Sequence, residues 1–376
     1  MKDKRNEILA RNLLGYSVDL QPDERILIEI RGRDTQELAK ELIRQATRIG
    51  AVPFWYYNDP SLVRHWIQNA TEGQFEAFGK LHLKLMKECD AWLGLYGDDN
   101  PFEFSDVDSE QLKNYQRLYV GPVHLEERVK NTKWCILSFP TNSMAQLAEM
   151  SLEAFEDFYY DVCCLDYAKM SKAMDPLAEL MEKTDGVRIV APGTDLCFSI
   201  KDIPVVKCDG KENIPDGEVF TAPVKDSLSG RITFNTPALA RGFLFHDISL
   251  EFHAGKVVDA SCAAGTEKLN EILDTDEGAR YVGEFALGVN PFILRPTKDA
   301  LFDEKIAGSL HLAVGACGEE TPNGNDSAIH WDLVQIQTNE YGGGEIYFDG
   351  ELIRKDGVFV DEKLEESFSA EALRSE

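Results

Sequence analysis

Positive charge is scarce in this chain. Its 376 residues include 39 Lys and Arg against 66 Asp and Glu, a formal net charge of −27. That deficit argues against nucleic acid or an anionic membrane as the main partner, because both require a cationic footprint. Long apolar runs are absent as well, and no stretch approaches the ~18 residues of a membrane span. The opening segment, MKDKRNEILARN, has no apolar core of the secretory kind. The eight cysteines (Cys89, Cys135, Cys163, Cys164, Cys197, Cys208, Cys262 and Cys317) form no CxxC pair. Without an export signal they read as reduced thiols of a cytoplasmic protein rather than disulfide or zinc-cluster cysteines. A G-x-S-x-G nucleophile signature is missing. The triplet Gly342-Gly343-Gly344 lacks the Lys-Ser/Thr of a phosphate loop and reads as a turn.

What is present is globular: 43% hydrophobic and 28% charged residues, enough for two domains. The first half alternates strand and helix. RILIEI (25–30) is β-like, and Asp34 with Glu37 then opens a helix that carries Leu38, Leu42, Ile43 and Ala46 at helical spacing. Gly50 is its natural stop, and AVPFWYY (51–57) completes a β-α-β unit with parallel strands. WLGLYG (92–97) and KWCILSF (133–139) read as further buried strands, with helical stretches near 61–89 and 109–116. Ser151 caps a long helical stretch with the apolar stripe Leu152, Phe155, Phe158, Tyr159 and Val162, running to about Lys183. After Gly186 the segments are short and β-rich, with one helix near 264–274 and a hairpin at Asp349-Gly350. These patterns predict an α/β domain with a mainly parallel sheet over 1–186 and a β-rich α+β domain over 187–376. The polar residues from Asp361 on are expected to be frayed or a short exposed helix.

Candidate metal ligands gather in the second domain. In SAIHWDLVQI, His330 and Asp332 are two apart, so a strand points both to one face and turns Ile329, Trp331 and Leu333 to the other. This is either a rigid platform for a divalent cation or an ordinary half-exposed strand. His311 lies in the apolar run GSLHLAVGA and is either a hydrogen-bonded core residue or a ligand; the run alone favours the core. Glu284 in GEFALG and Glu218 in GEVFTAP are carboxylates inside apolar runs, where an unpaired charge is costly. Lys and Arg are scarce around both, and a metal would satisfy each. The five residues together suit one or two borderline divalent ions such as zinc, cobalt or manganese.

NIPDGEVFTAP (213–223), GEFALG (283–288), the histidine of SLHLAVG (309–315) and IHWD (329–332) resemble the aminopeptidase T family of metallopeptidases. APGTDLCFSI (191–200) and the EDFYY region (156–160) fit the same family. The resemblance implies a two-domain metallo-exopeptidase that removes N-terminal amino acids and forms a homodimer around an enclosed cavity. It implies metal ligands at Glu218, Glu284, His311, His330 and Asp332, and two divalent ions per chain. Family members carry a tyrosine seven residues after the ligand histidine, thought to help stabilise the reacting carbonyl, but this chain has Gly318 there. Two other functions stay open: a mononuclear iron dioxygenase using His311, His330 and Asp332, and an inactive metal-binding homologue.

Overall fold

The computed structural model describes residues 3–374, so the first two residues of the first expected domain and the last two of the second lie outside the described residues. The chain packs as two compact units: residues up to Cys164 with Gly210–Pro215, and Leu165–Asp209 with the residues from Asp216 on.

The first unit is built on a parallel sheet. Its strands run in the order Val52–Asn58, Arg25–Arg31, Ala91–Tyr96, Lys133–Ser138 and Asn213–Ile214. All four pairings are parallel, as the β-α-β pattern predicts. Ile26, Leu27 and Ile28 are buried in succession, because crossover helices cover both faces of such a sheet. The first crossover helix, Gln36–Ile49, ends on Gly50 at φ 94°, the left-handed conformation that glycine adopts without a Cβ clash. Ser151 caps the helix Leu152–Cys163 by accepting from the Ala154 N–H.

In the second unit the domain boundary expected near 186 does not match the packing. The helix Tyr167–Lys183 groups with the β-rich residues, not with the parallel sheet. Its stripe of Met170, Met174, Leu177 and Met181 announces an amphipathic helix, but a stripe does not say which sheet it covers. The chain tail also differs from expectation. It forms two short helices, Glu362–Ser367 and Ala370–Leu373, with Leu364, Phe368 and Leu373 buried. Its end is tied down by the Asp166 N–H, which donates to the Leu373 carbonyl. The hairpin between Glu345–Phe348 and Glu351–Lys355 turns on Asp349 and Gly350, both at positive φ (49° and 84°), as an Asp-Gly two-residue turn requires.

Two sheets make up most of this unit. One has eight strands, and the other has five in the order His330–Ile336, Ser309–Gly315, Val282–Gly288, Glu218–Thr221 and Val206–Cys208. Every pairing in the five-stranded sheet is antiparallel. Phe285, Leu312 and Leu333 form one cross-strand row, all fully buried, and anchor the sheet by one face.

Candidate metal centre

The opposite face of the five-stranded sheet collects all five residues singled out in the sequence. Glu284, Ala313 and Asp332 form one cross-strand row, and Ala286, His311 and Val334 form the next. Glu218 pairs with Gly288, and His330 with Gly315. Ala286 and Ala313 in these rows carry only a methyl group, so the longer polar side chains can converge over them. A bulge between Val282 and Glu284 shifts the register at the point where the row of carboxylates begins.

The convergence is close. His311 Nε2 lies 3.0 Å from Glu284 Oε1 and 3.9 Å from Asp332 Oδ1. His311 Nδ1 lies 3.7 Å from Glu218 Oε2. His330 Nε2 lies 3.4 Å from Asp332 Oδ1 and 3.8 Å from Glu284 Oε2. The second nitrogen of His330 has its own partner: Nδ1 is 2.8 Å from the Ala316 carbonyl oxygen. A carbonyl only accepts, so Nδ1 carries the hydrogen, and once the ring has lost its other proton Nε2 would present its lone pair towards the carboxylates.

Electrostatics follow from the crowding. Burial alone would push the His311 imidazole down, but Glu218, Glu284 and Asp332 outweigh it and raise it to about 9. Burial is likewise overcome at His330, where Asp332 and Glu284 raise the ring to about 10. Asp332 moves the other way: burial would raise it, but His330 and His311 hold it well below the usual carboxylate range.

Among the described residues, three buried atoms in this cluster make no hydrogen bond: Glu218 Oε2, His311 Nδ1 and Asp332 Oδ1. Buried polar atoms without a partner are rare because each forfeits its hydration. Three together, all lone-pair donors from carboxylate and imidazole, fit a divalent cation. Two triads each bring one donor atom per residue within 4.8 Å of the others: Glu218, Glu284 and His311, and Glu284, His330 and Asp332. Glu284 belongs to both. A third triad, Cys208, Asp216 and Glu218, lies on the same flank, with burial and then Asp216 and Glu218 pushing the Cys208 thiol well above its ordinary range.

Two neighbours escaped the sequence reading. Lys305, 2% exposed, places Nζ 3.2 Å from Glu218 Oε1 and pairs with Glu304 Oε2. Lys and Arg are scarce in the segment around Glu218, and this cationic partner comes from a segment far along the chain. Burial alone would lower the ammonium, but Glu218 and Glu304 dominate and hold it well above its usual range, so it is charged. The available signal was FDEKIAG (302–308), an acid–base pair set between Phe302 and Ile306, both fully buried. Asp195 is exposed on the strand Thr194–Ser199, where it accepts from the Arg188 guanidinium at 2.9 Å. Gly318 is not held in a positive-φ conformation, and a Cβ there would meet only Thr321 Oγ1 at 3.5 Å and Glu320 N at 4.0 Å. Nothing in the backbone demands glycine at that position.

Known proteins resemble this chain along almost its whole length. The chain is 26% identical to aminopeptidase 2 of Geobacillus stearothermophilus, over 94% of this chain and 95% of that protein. Its fold matches wild-type AmpT from Thermus thermophilus with a TM-score of 0.79 at 22% identity, covering 95% of this chain and 99% of that one. The fold also matches 2,5-dihydroxypyridine dioxygenase from Pseudomonas putida KT2440, with a TM-score of 0.62 at 12% identity over 97% and 99% of the two chains. Residues 2–359 match the family described as thermophilic metalloprotease (M29), and the chain belongs to that family.

Proposed function

We propose that this protein is a metal-dependent aminopeptidase that hydrolyses the N-terminal peptide bond of peptides. Glu218, Glu284, His311, His330 and Asp332 would hold two divalent ions per chain, of zinc, cobalt or manganese, with Glu284 shared between them. The observation that carries this reading is the set of three buried, unpartnered donor atoms on two triads that meet at Glu284. When bound, such ions polarise a carbonyl oxygen and make a water nucleophilic near neutral pH. The chain's own residues prepare the site. The Ala316 carbonyl fixes the His330 tautomer, and Lys305 takes one oxygen of Glu218 and leaves the other free. The strongly acidic chain favours the approach of a substrate's cationic α-amine. No side chain is assigned as the carbonyl-stabilising donor, because Gly318 stands at the family's tyrosine position. We further propose a cytoplasmic homodimer, with the second unit as the catalytic one.

The test is hydrolysis of a panel of aminoacyl p-nitroanilides after chelation, with and without added zinc, cobalt or manganese. Release from unblocked substrates only, restored by metal, is the expected result. Equal cleavage of N-acetylated substrates would reject an aminopeptidase, and metal uptake without any cleavage would support the inactive homologue. A dioxygenase reading is favoured by one observation, the approach of His311 and His330 to Asp332 within a dioxygenase-like fold. It predicts one iron per chain and oxygen consumption, whereas Glu218 and Glu284 in the same cluster favour two ions.

A further inference from the structure

Lys305 is a cation placed where cations are to be bound, which needs an explanation. Its ammonium is almost completely buried and touches two carboxylates, Glu218 and Glu304. Charge alone would make it a liability, because a fixed positive charge beside Glu218 repels an incoming ion.

The backbone around it is built to bring it there. The segment Glu304–Ile306 passes directly over Gly288, the cross-strand partner of Glu218. A Cβ on Gly288 would lie 2.4 Å from the Ile306 carbonyl oxygen and 2.9 Å from that of Glu304, so only glycine admits this path. The Asn290 N–H donates to the Lys305 carbonyl at 3.0 Å, and the Asn290 side-chain amide donates to the Asp216 carbonyl at 2.8 Å. The Val289 N–H donates to the Gly217 carbonyl at 2.9 Å. Lys305 and Glu218 are therefore carried on one hydrogen-bonded frame, and their relative position does not depend on a flexible lysine stem alone.

The consequence falls on the two oxygens of Glu218. Oε1 lies 3.2 Å from the ammonium, while Oε2 makes no hydrogen bond and lies 3.7 Å from His311 Nδ1. We propose that Lys305, braced by Glu304, is a positioning residue that occupies Oε1 of Glu218, so that this carboxylate offers a single oxygen, Oε2, to the ion shared with His311 and Glu284. This rests on the metal-site reading above and adds a role that none of the five ligand residues fills.

Orientation and charge make opposite predictions for Lys305→Met. Loss of a repelling charge alone would tighten metal binding. Loss of orientation should weaken it, by about 10–100-fold, as for other partners that orient a metal ligand. The experiment is cobalt titration of the chelated full-length protein, followed by visible absorption and by competition with a chromogenic chelator. Wild type should take up two equivalents. Lys305→Met should bind one with near-native affinity, at Glu284, His330 and Asp332, and the other at least tenfold more weakly with an altered cobalt spectrum. Two ions bound with unchanged or higher affinity would overturn the proposal. Should Lys305→Met fail to fold, Lys305→Gln leaves a shorter, neutral side chain in its place, and the same two results decide. If wild type itself fails to take up two ions, the metal-site reading fails first, and the fault is visible without any variant.

Discussion

Both units bury a strand carboxylate, but they treat it differently. In the first unit Glu29, 5% exposed, accepts from the Tyr56 hydroxyl at 2.5 Å and from the Asn58 amide at 3.0 Å. In the second, Glu218 and Asp332 each keep a buried oxygen without a hydrogen bond, beside an imidazole nitrogen in the same condition. A buried carboxylate supplied with donors is part of the architecture. Buried acceptors that converge without donors describe a place where something else binds. Burial and residue type are alike in the two cases, and only the count of partners separates them.

The comparison can be broken most forcefully at Glu284. Because it belongs to both triads, Glu284→Gln should weaken both ions and lower kcat/KM on an unblocked aminoacyl substrate by about three orders of magnitude, several kcal/mol of lost charge stabilisation. Elemental analysis and initial rates on the same preparation check this, and a variant that keeps both ions would remove Glu284 from its bridging role. Asp332→Ala should be narrower, losing the ion at His330 while the apolar face of its strand keeps the fold, as read from metal content and circular dichroism.

Gly318 probes what the second unit still lacks. With room for a Cβ and no positive φ, Gly318→Tyr should fold. If it restores a donor to the developing oxyanion, kcat should rise by up to about two orders of magnitude for ~2.7 kcal/mol, with a smaller change in KM. An unchanged kcat in a stable variant would mean that another group already serves.

Glu29 gives the control in the first unit. Glu29→Ala strands the Tyr56 hydroxyl and the Asn58 amide, and should cost about 1–3 kcal/mol of stability, read by chemical denaturation, while metal content is unchanged. Lost metal in this variant would erase the distinction between the two carboxylates.

The smallest effect is one of sign. Burial, then Arg128 and His82, pushes His124 of the first unit down to about 3. The unfolded chain takes up that proton first, so this contribution is complete above about pH 6.5 and is lost as pH falls towards 3. In the metal-free second unit His311 and His330 are raised to about 9 and 10, so their contribution is complete below about pH 6.5 and is lost as pH rises through those values. Denaturation of the chelated protein across pH should show losses on both sides, and replacing His124 with Gln should remove part of the acid-side loss only.

Much of this was legible in the chain because local chemistry decides it. Gly50, Ser151 and the Asp349-Gly350 turn act on their immediate neighbours and stand as read. The alternation of His330, Trp331 and Asp332 along one strand put two residues on one face without any knowledge of the rest, and the ring of Trp331 packs 5.4 Å from that of Phe245. What could not be read is what depends on distant pairing. The ammonium of Lys305 reaches Glu218 only because the loop crosses Gly288, and the helix Tyr167–Lys183 shows an apolar stripe that says nothing of which unit it joins. His311 was ambiguous for the same reason, since an apolar run looks alike around a core histidine and a ligand.

The central claim is that the unpartnered atoms of the second unit are two ion sites joined at Glu284. Equilibrium dialysis of the chelated wild-type chain against zinc, followed by elemental analysis, tests it most directly. The account predicts two ions per chain, both markedly weakened in Glu284→Gln. One ion per chain, or two that are indifferent to Glu284→Gln, would contradict it.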